Sequence, residues 1–182
     1  MLTIEVPISP EGWDEVKNEF VDAKTQTLQL EHSLVSLSKW ESKWHKPFYS
    51  KVGMSSEETL DYIKCMTLTK NVDPDVYNHL TRENVKDVMD YIGDPMTATT
   101  FYNEGKNATS RETITSELIY YWMIASNIPF DPCQKWHLNR LITLIRVCGV
   151  KNNPPKKRSK RDIMSRNAAL NAARRKQMNT KG

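Results

Sequence analysis

Four histidines, His32, His45, His79 and His137, are the side chains of this chain best suited to acid–base work near neutral pH. No second histidine stands at ligand spacing with any of them, which disfavours a metal site. His137 comes closest to a constellation, three residues before Arg140 within an apolar stretch, where a lone histidine reads as a hydrogen-bonded core residue. The acids fall into two sets at helical spacing, Glu57, Glu58 and Asp61, then Glu83, Asp87 and Asp90. Either set has the composition to bind a cation or activate a water, and either is also what the solvated side of an amphipathic helix carries. Glycine-rich phosphate loops, His-Glu-x-x-His, a nucleophile elbow and Cys-x-x-Cys are all missing from the sequence. Cys65, Cys133 and Cys148 are widely spaced among apolar neighbours and read as buried, reduced thiols. The expectation is a non-enzymatic protein with no catalytic residues, no metal and no cofactor.

The elements that would position these groups give a mainly α fold with a small N-terminal antiparallel β-sheet, an α+β arrangement. Leu2, Ile4 and Val6 alternate with polar residues and predict a strand closed by Pro7 and Pro10. A second alternating run over Thr25–Leu30 follows a polar turn, so residues 1–32 read as a β-hairpin of two or three strands. Leu34, Leu37, Trp40 and Trp44 predict a helix from Ser33 to Pro47 with His45 and Lys46 at its C-terminal end. Ser55 and Glu58 have capping-box spacing for a helix carrying Leu60, Ile63 and Met66 and stopping near Asn71. Asp73-Pro74 opens a short turn, and Thr81 caps a helix with Val85, Val88, Met89 and Ile92 inward, ended by Gly93 and Pro95.

Residues 102–110 are polar and without period and read as a mobile loop. Thr109 and Glu112 have capping-box spacing before Ile114, Leu118, Tyr121, Trp122 and Ala125, with Pro129 as the break. Asp131-Pro132 then caps a last body helix with Cys133, Trp136, His137, Arg140, Leu141, Leu144, Ile145 and Cys148 on one broad face, closed by Gly149. Ile119, Ile124, Leu138 and Ile142 lie off these main stripes and form a candidate self-association face.

Charge divides the chain more sharply than hydrophobicity does. The whole carries +4, but residues 151–182 hold eleven bases and one acid, Asp162, for +10, which leaves residues 1–150 at −6. The organisation is therefore an acidic, mostly helical body, 1–150, and a basic arm, 151–182, set apart by Pro154-Pro155. Ser159 and Asp162 give a capping signal for a helix from Lys160 to Gln177, favoured by its alanines. Lys156, Lys157, Arg158, Lys160, Arg161, Arg166, Arg174, Arg175 and Lys176 are the candidate partner-binding residues. The arm has no aromatic residue to stack on bases, which turns the reading toward protein contacts, with nucleic acid secondary. No run is long enough to span a bilayer and no secretory signal opens the chain, so a cytosolic protein is expected.

Three strings, Leu30–Trp44 (LEHSLVSLSKWESKW), Pro95–Phe101 (PMTATTF) and Cys133–Leu141 (CQKWHLNRL), resemble a family encoded by tailed bacteriophages and prophages, the tail assembly chaperones of the tail morphogenesis cluster. The resemblance runs along nearly the whole chain. It implies a non-catalytic assembly factor in the host cytoplasm that coats the tape-measure protein and assists polymerisation of the tail tube, with possible homo-oligomers. No binding residue is carried over from it. The alternative is a structural virion protein of the neck or capsid whose arm contacts DNA or neighbouring subunits.

Overall fold

The computed structural model describes residues 1–9, 12–14, 19–21, 24–50, 53–101, 113–152 and 160–179. They divide into two compact units, Met1–Cys148 and Gly149–Gly182. The fold is mainly helical with a small N-terminal antiparallel sheet, as the periodicities predict.

Strand β1, Leu2–Ser9, pairs antiparallel with β4, Lys24–Leu30, in a register that sets Leu2 opposite Leu30 and Ile4 opposite Leu28. Side chains alternate across a strand, so Ile4, Val6, Leu28 and Leu30 share one face and are all buried. The strand does not stop at Pro7. It continues to Ser9 with a register shift after Pro7, which a two-stranded ribbon tolerates because each strand has an edge that needs no ladder bond. Between them β2, Gly12–Asp14, pairs with β3, Glu19–Val21, so the ribbon has four short strands in two ladders.

Helix α1, Leu34–Trp44, begins at Ser33, whose hydroxyl accepts from the Ser36 backbone at 3.2 Å while the Ser36 hydroxyl accepts from the Ser33 backbone at 2.9 Å. It ends on His45 in a left-handed conformation, φ 52°, with the His45 N–H donating to the Glu41 carbonyl at 2.8 Å. Helix α2, Ser56–Met66, has the expected Ser55/Glu58 capping box, but it stops five residues short of Asn71. Thr67 leaves the helix to bridge Leu30, and Leu68 N–H donates to the Gln29 carbonyl at 2.8 Å, so the chain covers the free edge of β4 instead of continuing the helix. A 3-10 turn, Pro74–His79, is capped by Asp73 as predicted, and α3, Arg82–Gly93, is capped by Thr81. Within α3 Val88 is buried, but Met89 is exposed and Tyr91 takes its place inside. The Tyr91 hydroxyl explains the swap by donating to Glu31 at 2.7 Å.

Thr109 and Glu112 lie outside the described residues. Helix α4 is Ser116–Ala125, opened by Thr115, and its buried face is Ser116, Ile119 and Met123, with Tyr121 turned out. After the short α5, Phe130–Cys133, helix α6 starts only at Leu138 and runs through Gly149 to Asn152. Residues 134–137 are held out of it because Ser33 pairs with His137 and the Leu138 N–H donates to the His32 carbonyl at 2.7 Å. The arm helix α7, Lys160–Met178, matches its expected span. The loop at 102–110, Pro154-Pro155 and Ser159 lie outside the described residues.

Two buried clusters result. One gathers the β1/β4 face with Trp40, Tyr62, Ile63, Met66, Val76, Val88 and Tyr91. The other joins Leu34 and Leu37 to Ile119, Met123, Cys133, Leu138 and Leu141. Helix α1 serves both, Trp40 on one side and Leu34 and Leu37 on the other. Of the thiols, only Cys133 is buried; Cys65 and Cys148 are half-exposed, and all three are free.

Candidate functional site

The histidines do not stand alone in space. His32 and His137 meet with ring centroids 5.1 Å apart, and both are buried. The His137 Nε2–H donates to the Tyr91 carbonyl at 3.0 Å, which leaves Nδ1 as the acceptor for the Asn139 N–H at 3.3 Å. One imidazole thus donates and accepts in its neutral form. His32 Nδ1 meets the Tyr62 hydroxyl at 2.5 Å, and its Nε2 has no hydrogen-bond partner among the described residues. Burial, with the neighbouring His137 second, lowers the His32 pKa to about 3. Burial also lowers that of His137, against the pull of the Tyr91 carbonyl. Both rings are neutral near pH 7 and act as struts. The predicted common face of His137 and Arg140 is not formed: Arg140 is exposed, its guanidinium 4.4 Å from the centre of the Trp136 ring.

The first acidic set is not a solvated face either. Glu58 and Asp61 are nearly enclosed. Glu58 accepts from the Ser55 backbone at 2.8 Å and pairs with Lys46 at 2.5 Å, while the Trp40 indole donates to the Glu58 carbonyl at 2.9 Å. The Lys46 contact and the Ser55 N–H hold the Glu58 carboxyl below its usual range. Burial works against the Asp61 carboxylate, but Lys43 and the Trp44 indole outweigh it and its pKa falls. These acids clamp α1 to α2. Glu83, Asp87 and Asp90 are exposed along α3, as an amphipathic helix requires. Among the described residues no group of three or more His, Cys, Asp or Glu is placed to hold a metal ion.

One open groove is mostly apolar. Of about 670 Å³, it runs between α2, the 3-10 turn and α3, lined by Met54, Leu60, Tyr77, Leu80, Val85 and Met89, with Glu57 and Asn78 also lining it. Methionine suits such a surface because its unbranched, polarisable side chain adapts to irregular partners. On α4, Tyr121 and Ile124 are 61% and 62% exposed, beside a Tyr120–Phe130 ring pair at 5.2 Å.

The self-association set is not one surface. Ile119 and Leu138 are fully enclosed, Ile142 packs half-buried against the same cluster, and Ile124 points outward. The periodicity of α4 carried no phase because the helix is apolar on every side, SELIYYWMIA. The signal for Met89 was equally weak, since one helical stripe contains both the residue that packs inward and the one that lines the groove.

In the arm, Lys160, Arg161, Arg166, Arg174, Arg175 and Lys176 are all on α7, and every described side chain of that helix is exposed. Lys156, Lys157 and Arg158 lie outside the described residues. No described helix is long and apolar enough to cross a membrane.

No family model, curated protein or solved structure matches the chain.

Proposed function

We propose that this protein is a non-catalytic assembly factor, a tail assembly chaperone that holds a segment of the tape-measure protein in the host cytoplasm while the tail tube forms. The observation that carries this reading is the methionine-edged groove between α2, the 3-10 turn and α3. An amphipathic helix of a client can lay its apolar side into such a groove, anchored at spacings of three and four residues. Client binding of this kind is transient by design, and an apolar lining edged by the adaptable side chains of Met54 and Met89 accepts varied sequences at modest affinity.

The test is capture from infected cells. Wild-type protein is expected to pull down the tape-measure protein, and Met89→Glu, at an exposed position, is expected to lose it with little change in melting temperature. Retention of the client by Met89→Glu would remove the groove from the reading.

The exposed cations of α7 favour one second reading, a structural protein of the neck or capsid whose arm reaches DNA or a neighbouring subunit. Purified virions separate the two. An assembly chaperone leaves before completion, whereas a structural component is recovered in stoichiometric amounts.

A further inference from the structure

The cations of α7 lie on all sides of the helix. At about 100° per residue, Arg174 falls within about 40° of both Ile163 and Leu170, so no uninterrupted apolar stripe exists for a protein groove to receive. Ile163, Met164 and Leu170 are themselves exposed.

Along the axis the cations fall into two clusters, with Asp162, the one acid of the helix, next in sequence to the first. Lys160 and Arg161 stand in the first turn, Arg174, Arg175 and Lys176 near the end, and Arg166 between them. At 1.5 Å per residue the clusters are about 20 Å apart. The span between Arg166 and Arg174 is Asn-Ala-Ala-Leu-Asn-Ala-Ala, uncharged and mostly small. Asn167 and Asn171 are one turn apart and share a side with Lys160 and Arg174.

This is the layout that a B-form major groove selects. The groove is about 12 Å wide and admits an α-helix; asparagine pairs in bidentate fashion with adenine there, and small residues let the helix approach the base edges. Phosphates on the two rims take the terminal cations. The same layout selects against other polyanions. Single strands are held by stacking on aromatics, which residues 151–182 lack, and the major groove of duplex RNA is too deep and narrow to be read by side chains.

We infer that α7 is a duplex-DNA-binding helix that lies in the major groove, with Asn167 and Asn171 toward the bases and its two cationic clusters on the phosphates. This goes beyond the assembly reading and does not depend on it.

The experiment is fluorescence anisotropy of the full chain on a short DNA duplex, the RNA duplex of the same sequence, each single strand, and polyglutamate. Duplex DNA is expected to be held at least tenfold more tightly than the others. With five to six phosphate contacts, log K against log salt should have a slope of about −4.5 to −5.4, a loss of roughly 500-fold or more between 50 and 200 mM. Replacing Arg174, Arg175 and Lys176 together by glutamine should reduce that slope by about 2.7. Dimethyl sulfate should find guanine N7, which faces the major groove, protected at the site. Asn167→Ala with Asn171→Ala should change base preference and leave the slope alone.

No binding to duplex DNA at 50 mM salt overturns the inference, as does equal affinity for duplex RNA or single strands. Polyglutamate held as tightly as duplex DNA at equal charge makes α7 a ligand for acidic protein and overturns it too. A glutamine variant with the wild-type slope places binding elsewhere and has the same effect.

Discussion

Protonating His32 should unfold the body, and the pH window follows from its surroundings. The free imidazole titrates near 6.5, whereas in the folded protein burial against Tyr62, Phe48 and His137 lowers its pKa to about 3. A depressed histidine contributes stability that is fully present above the unfolded value and is lost as pH falls toward the folded one, because only the unfolded chain takes the proton. The loss approaches about 1.4 kcal/mol per pH unit below the unfolded value, so about 2.3 kcal/mol disappears between pH 6.5 and 4.5. His137, shifted the same way, adds to this. Glu58 and Asp61, held below the ordinary carboxylate range, also lose stability as pH falls toward their unfolded values, so they add to the low end of the window in the wild type and in His32→Gln alike, and the difference between the two proteins isolates His32. The assay is urea unfolding followed by tryptophan fluorescence at half-unit steps of pH, with His32→Gln beside the wild type. The wild type should lose stability at 1.4 kcal/mol per unit or more, and His32→Gln should be shallower by about 1.4 kcal/mol per unit. Equal slopes for the two proteins, or an imidazole signal of His32 that titrates above pH 5 in the native state, would refute the reasoning.

Trp40→Ala should cost about 3–5 kcal/mol, since it empties the largest fully buried site and leaves the Glu58 carbonyl without its indole donor; urea midpoints check it. Tyr121→Ala and Ile124→Ala, on the outer side of α4, should each stay within about 0.5 kcal/mol of wild type by the same measurement. Ser55→Ala removes one half of the α2 capping box and should lower stability by about 1 kcal/mol, read as a fall in melting temperature. Iodoacetamide should modify Cys148 in the native protein well before Cys133, which reacts only on unfolding; mass spectrometry of the labelled peptides gives the order.

Helix starts were legible because their causes are local. Ser55 with Glu58, Asp73-Pro74 and Thr81 each satisfy orphan N–H groups within one turn, so the sequence around them contains the whole argument. Helix α7 was legible for a related reason: the propensity of its four alanines is local. Ends and faces were harder. Helix α2 stops at Met66 because Thr67 pairs with Leu30, thirty-seven positions away, and no local signal announces that bond. Tyr91 replaced Met89 in the core because its hydroxyl reaches Glu31, and the inward side of α4 was hidden by a helix apolar all round. Glu58 and Asp61 looked like surface acids because their partners Trp44, Lys43 and Lys46 belong to another helix.

The three strings Leu30–Trp44, Pro95–Phe101 and Cys133–Leu141 have a structural meaning of their own. The first supplies His32 and Ser33, the third supplies His137 and Leu138, and the two are joined by backbone pairing and by the ring contact. Asn139 of the third string donates to the carbonyls of Ile92 and Asp94 at 2.9 and 2.7 Å, which fixes the chain entering the second string. Phe101, the last residue of that string, lies 3.9 Å from the Arg146 guanidinium. In each string, residues meet partners far away in sequence. The surfaces proposed for partners lie largely elsewhere: the groove between α2 and α3, and α7. The two proposed contacts, a client helix in the groove and duplex DNA on α7, rest on residues such as Met89 and Asn167 that no string contains.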